Sequence, residues 1–360
     1  MGRDAALEEL HQQLQQEKPV AVTAAVAGMG GIGKTELAIQ YARGHWKTHY
    51  PAGVCWLRCR GADLTAQVTS FATVTLGVSV PEELKKTLKP QEIAQWVWQR
   101  WPVAEGGVDA VLVVLDDVTD YGQVRDYLPR DDRFHVLMTT RVQNLGASVQ
   151  TVALDLLSPE AALELLGSLE TAGRVAAEPE MAVELCDRLG YLPLGVELVG
   201  RYLRQKPDLS LEKMLARLEK TGLNQNALKK KRREDGTDDM TAERGVEKAI
   251  ALSWGELKRE ETRRLAYLLS LFALAPIPWG LVAGCLPEED EEDLEDARDR
   301  LVGLSLVRRV DAGVYQLHQL VREYVEEKLE ALEEADEIKR DYCRGMVAVA
   351  RQVPQVLTVA

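Results

Sequence analysis

The sequence predicts an α/β domain, a parallel sheet with helices on both faces, followed by a helical domain and then a domain of helices closed by a small hairpin. Three observations predict it. Short β-branched runs at 20–27, 54–58, 110–115, 134–139 and 150–154 alternate with helical segments, as a parallel sheet requires. Strand signals stop at 158, where Ser158, Pro159 and Glu160 give an N-cap, a proline at the first helical position and an acid in the first turn. Beyond 244, helical patterns lead to "LVRRV", "DAG" and "VYQLH", two alternating strands around a glycine turn.

Taken in order, residues 1–156 form the sheet domain, and residues 157–221 form the helical domain, with helices at 179–190, 193–204 and about 210–219. The stretch 222–243, "GLNQNALKKKRREDGTDDMTAE", is poor in apolar residues and runs from basic to acidic, so it reads as an exposed, flexible linker. Helices at 245–258, 260–275 and 290–303 and the hairpin make residues 244–335 a winged-helix domain. The chain is helical over 317–352, and 336–360 is expected to lead toward a sensor region outside the chain. No repeat with a period of about 30 to 45 residues is evident.

Composition excludes several classes. The apolar runs fall short of the roughly 20 residues that span a bilayer, and no signal segment opens the chain, so a cytoplasmic protein is expected. Five scattered cysteines fit reduced thiols, and the Cys55/Cys59 spacing lies in a strand pattern with no second ligand pair. A net charge of −13 argues against nucleic acid as the main partner.

The chemistry is concentrated at "GMGGIGKTE", residues 28–36. Gly28, Gly33, Lys34 and Thr35 satisfy G-x-x-x-x-G-K-[ST] between an apolar strand and a helix, the context of a phosphate loop and of a P-loop NTPase. Gly28, Met29, Gly30, Gly31, Ile32 and Gly33 wrap the phosphates with backbone N–H groups, and Glu36, in the helix turn that follows, is expected among the nucleotide-binding residues. Lys34 reaches the β and γ phosphates of a nucleotide, and Thr35 ligates Mg²⁺. "AVLVVLDDV" ends a buried strand in two carboxylates, where ligands bind in open α/β sheets. Asp116 is the expected second magnesium ligand, and Asp117 orients or deprotonates the attacking water. Two acids ending a strand also begin turns, which is the structural alternative. "FHVLMTTR" brings Arg141 to the same sheet end, to sense the γ-phosphate or to begin a surface loop.

With these motifs in place, the chain resembles the NB-ARC group of STAND signalling ATPases: plant disease-resistance proteins, animal apoptotic scaffolds and bacterial proteins with repeat sensors. "GMGGIGKTELA", "LVVLDDV" and "LMTTR" are similar to its phosphate loop, magnesium strand and sensor strand. "LDLLSPEAALELL", "GYLPLGVELVG", "IALSWGEL" and "YQLHQLVREY" are similar to its later segments, all in the family's order. The resemblance implies that Pro193 lies against adenine, that His318 contacts the β-phosphate of ADP, and that Arg3, in an opening "MGRDAALEEL", lies near adenine. Tyr191 stands where the family has leucine, and Gln319 where relatives carry Asp or Pro. Relatives often carry an effector domain before this segment, so an excised piece or a protein lacking that effector is expected.

The expected function is an ATP/ADP-controlled signal-transduction switch, closed with ADP and opening or self-associating with ATP, reset by slow Mg²⁺-dependent ATP hydrolysis. Mg²⁺ and ATP or ADP are its cofactors; effector and sensor domains outside the chain are its partners. A DNA-binding regulatory ATPase is the alternative, opposed by the acidic run "PEEDEEDLEDARD" where a recognition helix would lie. A metabolic P-loop kinase is a third, and no segment suggests its acceptor pocket.

Overall fold

A computed structural model describes residues 2–16, 19–24, 30–61, 63–102, 109–142, 145–146, 148–229, 241–273 and 275–352. The chain divides into two compact units, Met1–Asp155 and Leu156–Ala360. No helix among the described residues is long and apolar enough to cross a membrane.

The first unit contains helices α1 (Asp4–Leu14), α2 (Lys34–His45), α3 (Leu64–Thr75), α4 (Glu82–Thr87), α5 (Pro90–Trp98) and α6 (Tyr121–Val124). Its strands are β1 (Val20–Ala24), β2 (Val54–Arg58), β3 (Val111–Val118), β4 (Phe134–Thr140) and β5 (Gln150–Leu154), in the order β2-β3-β4-β1-β5. Every pairing is parallel, which accounts for the near-continuous apolar runs. Val111 to Leu115 are at most 1% exposed. Burial of each such side chain contributes about 1.5–3 kcal/mol, so this strand anchors the core. Val111, Val113 and Leu115 pack with Val68, Val97 and Trp98 of α3 and α5. Leu112 and Val114 point to the opposite face, where α2 lies.

The first unit's strands fall on the expected runs, apart from 25–27 of the first, which lie outside the described residues, and with one informative difference. The run expected over 110–115 continues to Val118, so both acids lie inside β3 rather than beyond it. The ladder with β4 slips between Leu115 and Val118, and Asp117 takes a left-handed φ of 58°. A bulge of this kind re-aims a side chain at a strand end.

The second unit is mostly helical: α7 (Pro159–Glu170), α8 (Arg174–Ala177), α9 (Pro179–Arg188), α10 (Pro193–Arg204), α11 (Leu211–Lys229), α12 (Thr241–Gly255), α13 (Glu260–Leu271), α14 (Trp279–Gly284), α15 (Glu291–Gly303), α16 (Gln319–Glu330) and α17 (Ala335–Gln352). Ser158 caps α7 by accepting from the Ala161 N–H, as its sequence indicates. α7 and α10 approach closely because Gly200 has no side chain; a Cβ there would meet the Leu169 Cβ at 2.7 Å. A small antiparallel sheet, β6-β8-β7, pairs β7 (Arg308–Asp311) and β8 (Val314–Gln316) with β6 (Ile277–Pro278), a strand too short to announce itself in sequence.

The expected linker at 222–243 is helical at both ends, in α11 up to Lys229 and in α12 from Thr241. No proline interrupts this stretch, and charged side chains are as compatible with an exposed helix as with a loop. The remainder of that linker lies outside the described residues. The segments expected as separate helical and winged-helix domains fall within one compact unit. The expected helix over 317–352 is two, α16 and α17, separated near Leu332.

Candidate functional site

At the C-terminal edge of the first unit's sheet, the ends of β3 and β4 meet the first turn of α2. Gly31 and Gly33 take left-handed φ values of 75° and 97°, and α2 starts at Lys34. A Cβ on Gly33 would meet nothing within 4 Å, so backbone conformation rather than space requires glycine there. Such a turn into a helix N-terminus aims successive N–H groups at an anion. Gly28 and Met29 lie outside the described residues. Gly30 and Ile32 are buried, and Glu36 accepts from Gln40 at 3.5 Å on the outer side of α2.

One carboxylate oxygen organises the site. The Thr35 hydroxyl donates to Asp116 Oδ1 at 2.8 Å, across 81 positions of chain, and the Thr139 hydroxyl donates to the same oxygen at 2.6 Å. Thr139 Oγ1 also accepts from the Asp117 backbone N–H at 2.9 Å. Thr139 can bridge in this way because β4 is inserted between the strand of the phosphate loop and the strand of the acids. Burial raises the Asp116 pKa, and the Thr139 and Thr35 hydrogen bonds act against that rise. A half-buried carboxylate beside a threonine hydroxyl offers two hard oxygen ligands, a donor set that fits Mg²⁺.

The bulge turns Asp117 away from its neighbour. Its carboxylate meets Arg60, with Nε–Oδ2 at 2.7 Å and Nη2 donating to Oδ1 at 3.4 Å. Lys34 is held at a pKa of about 8, first by burial and then by the positive charge of Arg141, with Asp117 and Asp116 acting in the opposite direction. Lys34, Thr35, Asp116, Asp117 and Arg141 therefore share one electrostatic environment, which the sequence assembled from three separate motifs. Arg3 donates to the Ile32 carbonyl at 3.1 Å, against the backbone of the phosphate loop; burial lowers its pKa and Asp155 raises it.

Two partners escaped the sequence reading. Thr139 stood beside Arg141 in "LMTTR", but its bonding to Asp116 depends on strand order. Arg60 follows β2, lies 57 positions from Asp117 and belongs to no motif.

Pro193 and His318 belong to the second unit. Pro193 is the first residue of α10, preceded by Tyr191 at a left-handed φ of 53° whose carbonyl accepts from the Leu157 N–H. His318 is exposed and caps α16, its Nδ1 accepting from the Leu320 N–H at 3.2 Å. An accepting Nδ1 places the ring proton of the neutral imidazole on Nε2.

Residues 3–175 match the family model of the NB-ARC domain. The chain is 30% identical over 334 residues to the regulatory protein AfsR of Streptomyces griseus, covering 90% of this chain and 32% of that protein. It is 30% identical over 228 residues to apoptotic protease-activating factor 1 of Danio rerio, covering 58% of this chain and 17% of the relative. A solved signal transduction ATPase with numerous domains (STAND) from Pyrococcus horikoshii, with a tetratricopeptide repeat sensor, shares the fold. Its TM-score is 0.60 at 20% identity, over 98% of this chain and 46% of that one. The chain thus spans about a third or less of the curated relatives it matches here.

Proposed function

From the match of residues 3–175 to the NB-ARC family model, we propose that this chain is an adenine-nucleotide-controlled signalling switch of the STAND type of P-loop ATPase. One observation carries the reading: Thr35 of the phosphate loop and Thr139 of β4 converge on a single oxygen of Asp116, joining three motifs at one point. Lys34 binds the β and γ phosphates. Thr35 and Asp116 would hold Mg²⁺, which when bound supplies positive charge to the phosphate oxygens. Asp117 orients the attacking water, and Arg60 fixes its carboxylate and limits its freedom to move toward other partners. Arg141 senses the γ-phosphate. Pro193 and His318 contribute to the closed, ADP-bound form, as the family resemblance implies.

Switching requires that ATP bind the open arrangement better than the closed one, a coupling of about 1–3 kcal/mol in typical cases. ATP would then favour opening and self-association, with slow hydrolysis as the reset. Sensor and effector segments of such a switch would lie outside this chain. The decisive experiment identifies the nucleotide that copurifies with the protein and measures its mass in solution with ADP and with ATP. Bound ADP and a larger particle with ATP are expected, and Lys34→Ala should emerge without nucleotide. Undiminished ADP in that variant would refute the phosphate loop as the holding element.

A further inference from the structure

Three of the chain's five histidines meet away from the nucleotide site. His11 lies on α1, His45 is the last residue of α2, and His49 follows one turn later with its N–H donating to the His45 carbonyl at 2.8 Å. The His11 ring stacks on His45 with centroids 4.6 Å apart and meets His49 edge-on at 4.5 Å. All three are half-buried, and ligand nitrogens drawn one from each lie within 4.8 Å of one another.

The Nδ1 atoms are already engaged by oxygens: His11 by the Tyr41 hydroxyl, His45 by the Tyr41 carbonyl and His49 by the Thr48 hydroxyl, each at 2.9 Å. A carbonyl only accepts, so His45 carries its proton on Nδ1 and keeps the Nε2 lone pair for another partner. The Tyr41 hydroxyl is in turn bonded to Tyr50 at 3.1 Å, and Tyr50 to His135 Nδ1 at 3.2 Å. Tyr41 and Tyr50 are 0% and 1% exposed, so this outer set is fixed by packing. Metal-bound imidazoles are held in this way, by a hydrogen bond from the second ring nitrogen.

We propose that His11, His45 and His49 form a site for a divalent transition metal of the zinc class, bound through three imidazole nitrogens with a fourth position open to water or a small ligand. Imidazole ligands suit Zn²⁺, Cu²⁺ and Ni²⁺, and the absence of a carboxylate from the group disfavours Mg²⁺. Zn–N bonds of about 2.0–2.1 Å in tetrahedral geometry bring the nitrogens to about 3.4 Å, so the group would contract on binding the metal. The metal would tie α1 to the far end of the helix that begins with Lys34 and Thr35.

The test titrates the metal-free, nucleotide-free full chain with Zn²⁺ by calorimetry and with Co²⁺ by absorption. A single equivalent is expected, with a Co²⁺ spectrum lacking thiolate charge transfer. His11→Gln and His45→Gln should each weaken binding by at least about tenfold. Because those variants can disturb folding, the unaltered protein is also loaded with Cu²⁺, whose electron paramagnetic resonance should show coupling to imidazole nitrogens. Absence of binding, affinity unchanged in both folded variants, thiolate transitions, or a copper spectrum of oxygen ligands alone would each overturn the proposal.

Discussion

Burial and the nearby Arg141 hold the Lys34 ammonium at a pKa of about 8 in the nucleotide-free protein, and the phosphate proposed to bind beside it would reverse that shift. The bound form then has the higher pKa, so nucleotide binding takes up a proton. Affinity is greatest below pH 8 and falls above it, by about tenfold between pH 7 and pH 9; equilibrium binding of ADP at the two values checks this. In the nucleotide-free protein, where the folded pKa lies below the usual lysine value, the charged ammonium costs stability below about pH 8, and the cost vanishes as the pH rises. Thr139 supports a second prediction. Thr139→Val keeps the shape but removes the donor to Asp116 and the acceptor for the Asp117 N–H. Urea unfolding should show a loss of about 1–3 kcal/mol. A folded variant of unchanged stability would mean that Thr139 only fills space.

At the level of elements, β3 and α16 show how one local structure carries two tasks. β3 is a buried apolar strand whose bulge at Asp117 separates the directions of two adjacent carboxylates, one toward Thr35 and one toward Arg60. α16 begins after His318, and the same imidazole caps the helix and is proposed to meet ADP. Two substitutions separate these roles. His318→Ala should speed ADP release, measured by exchange against a fluorescent analogue. His318→Ser restores a good N-cap but not the imidazole, so it should release ADP as fast as the alanine variant. Slow release from the serine variant would assign His318 to capping alone.

For the molecule as a whole, charge argues for the proposed switch against the DNA-binding alternative. α15 opens with Asp290 as its cap and Glu291, Glu292 and Asp293 in its first turn, ahead of β7, whose four exposed residues include just two basic ones, Arg308 and Arg309. With a net charge of −13, this surface repels a phosphate backbone. Micromolar protein should therefore show no salt-dependent duplex binding by fluorescence anisotropy; binding that weakens steeply with salt would restore the DNA-binding reading.

The sequence by itself determined the parallel α/β core and the phosphate loop, because strand runs, glycine spacing and helix caps are local signals whose physics acts over a few residues. It singled out Lys34, Thr35, Asp116, Asp117 and Arg141 as candidates for the same reason. Only the tertiary structure decided that Thr139 bonds Asp116, that Arg60 holds Asp117, that both acids lie inside β3, and that His11 meets His45 and His49. Those pairings are set by strand order, a bulge and helix packing, which bring together residues far apart in the chain without leaving a periodic or compositional trace.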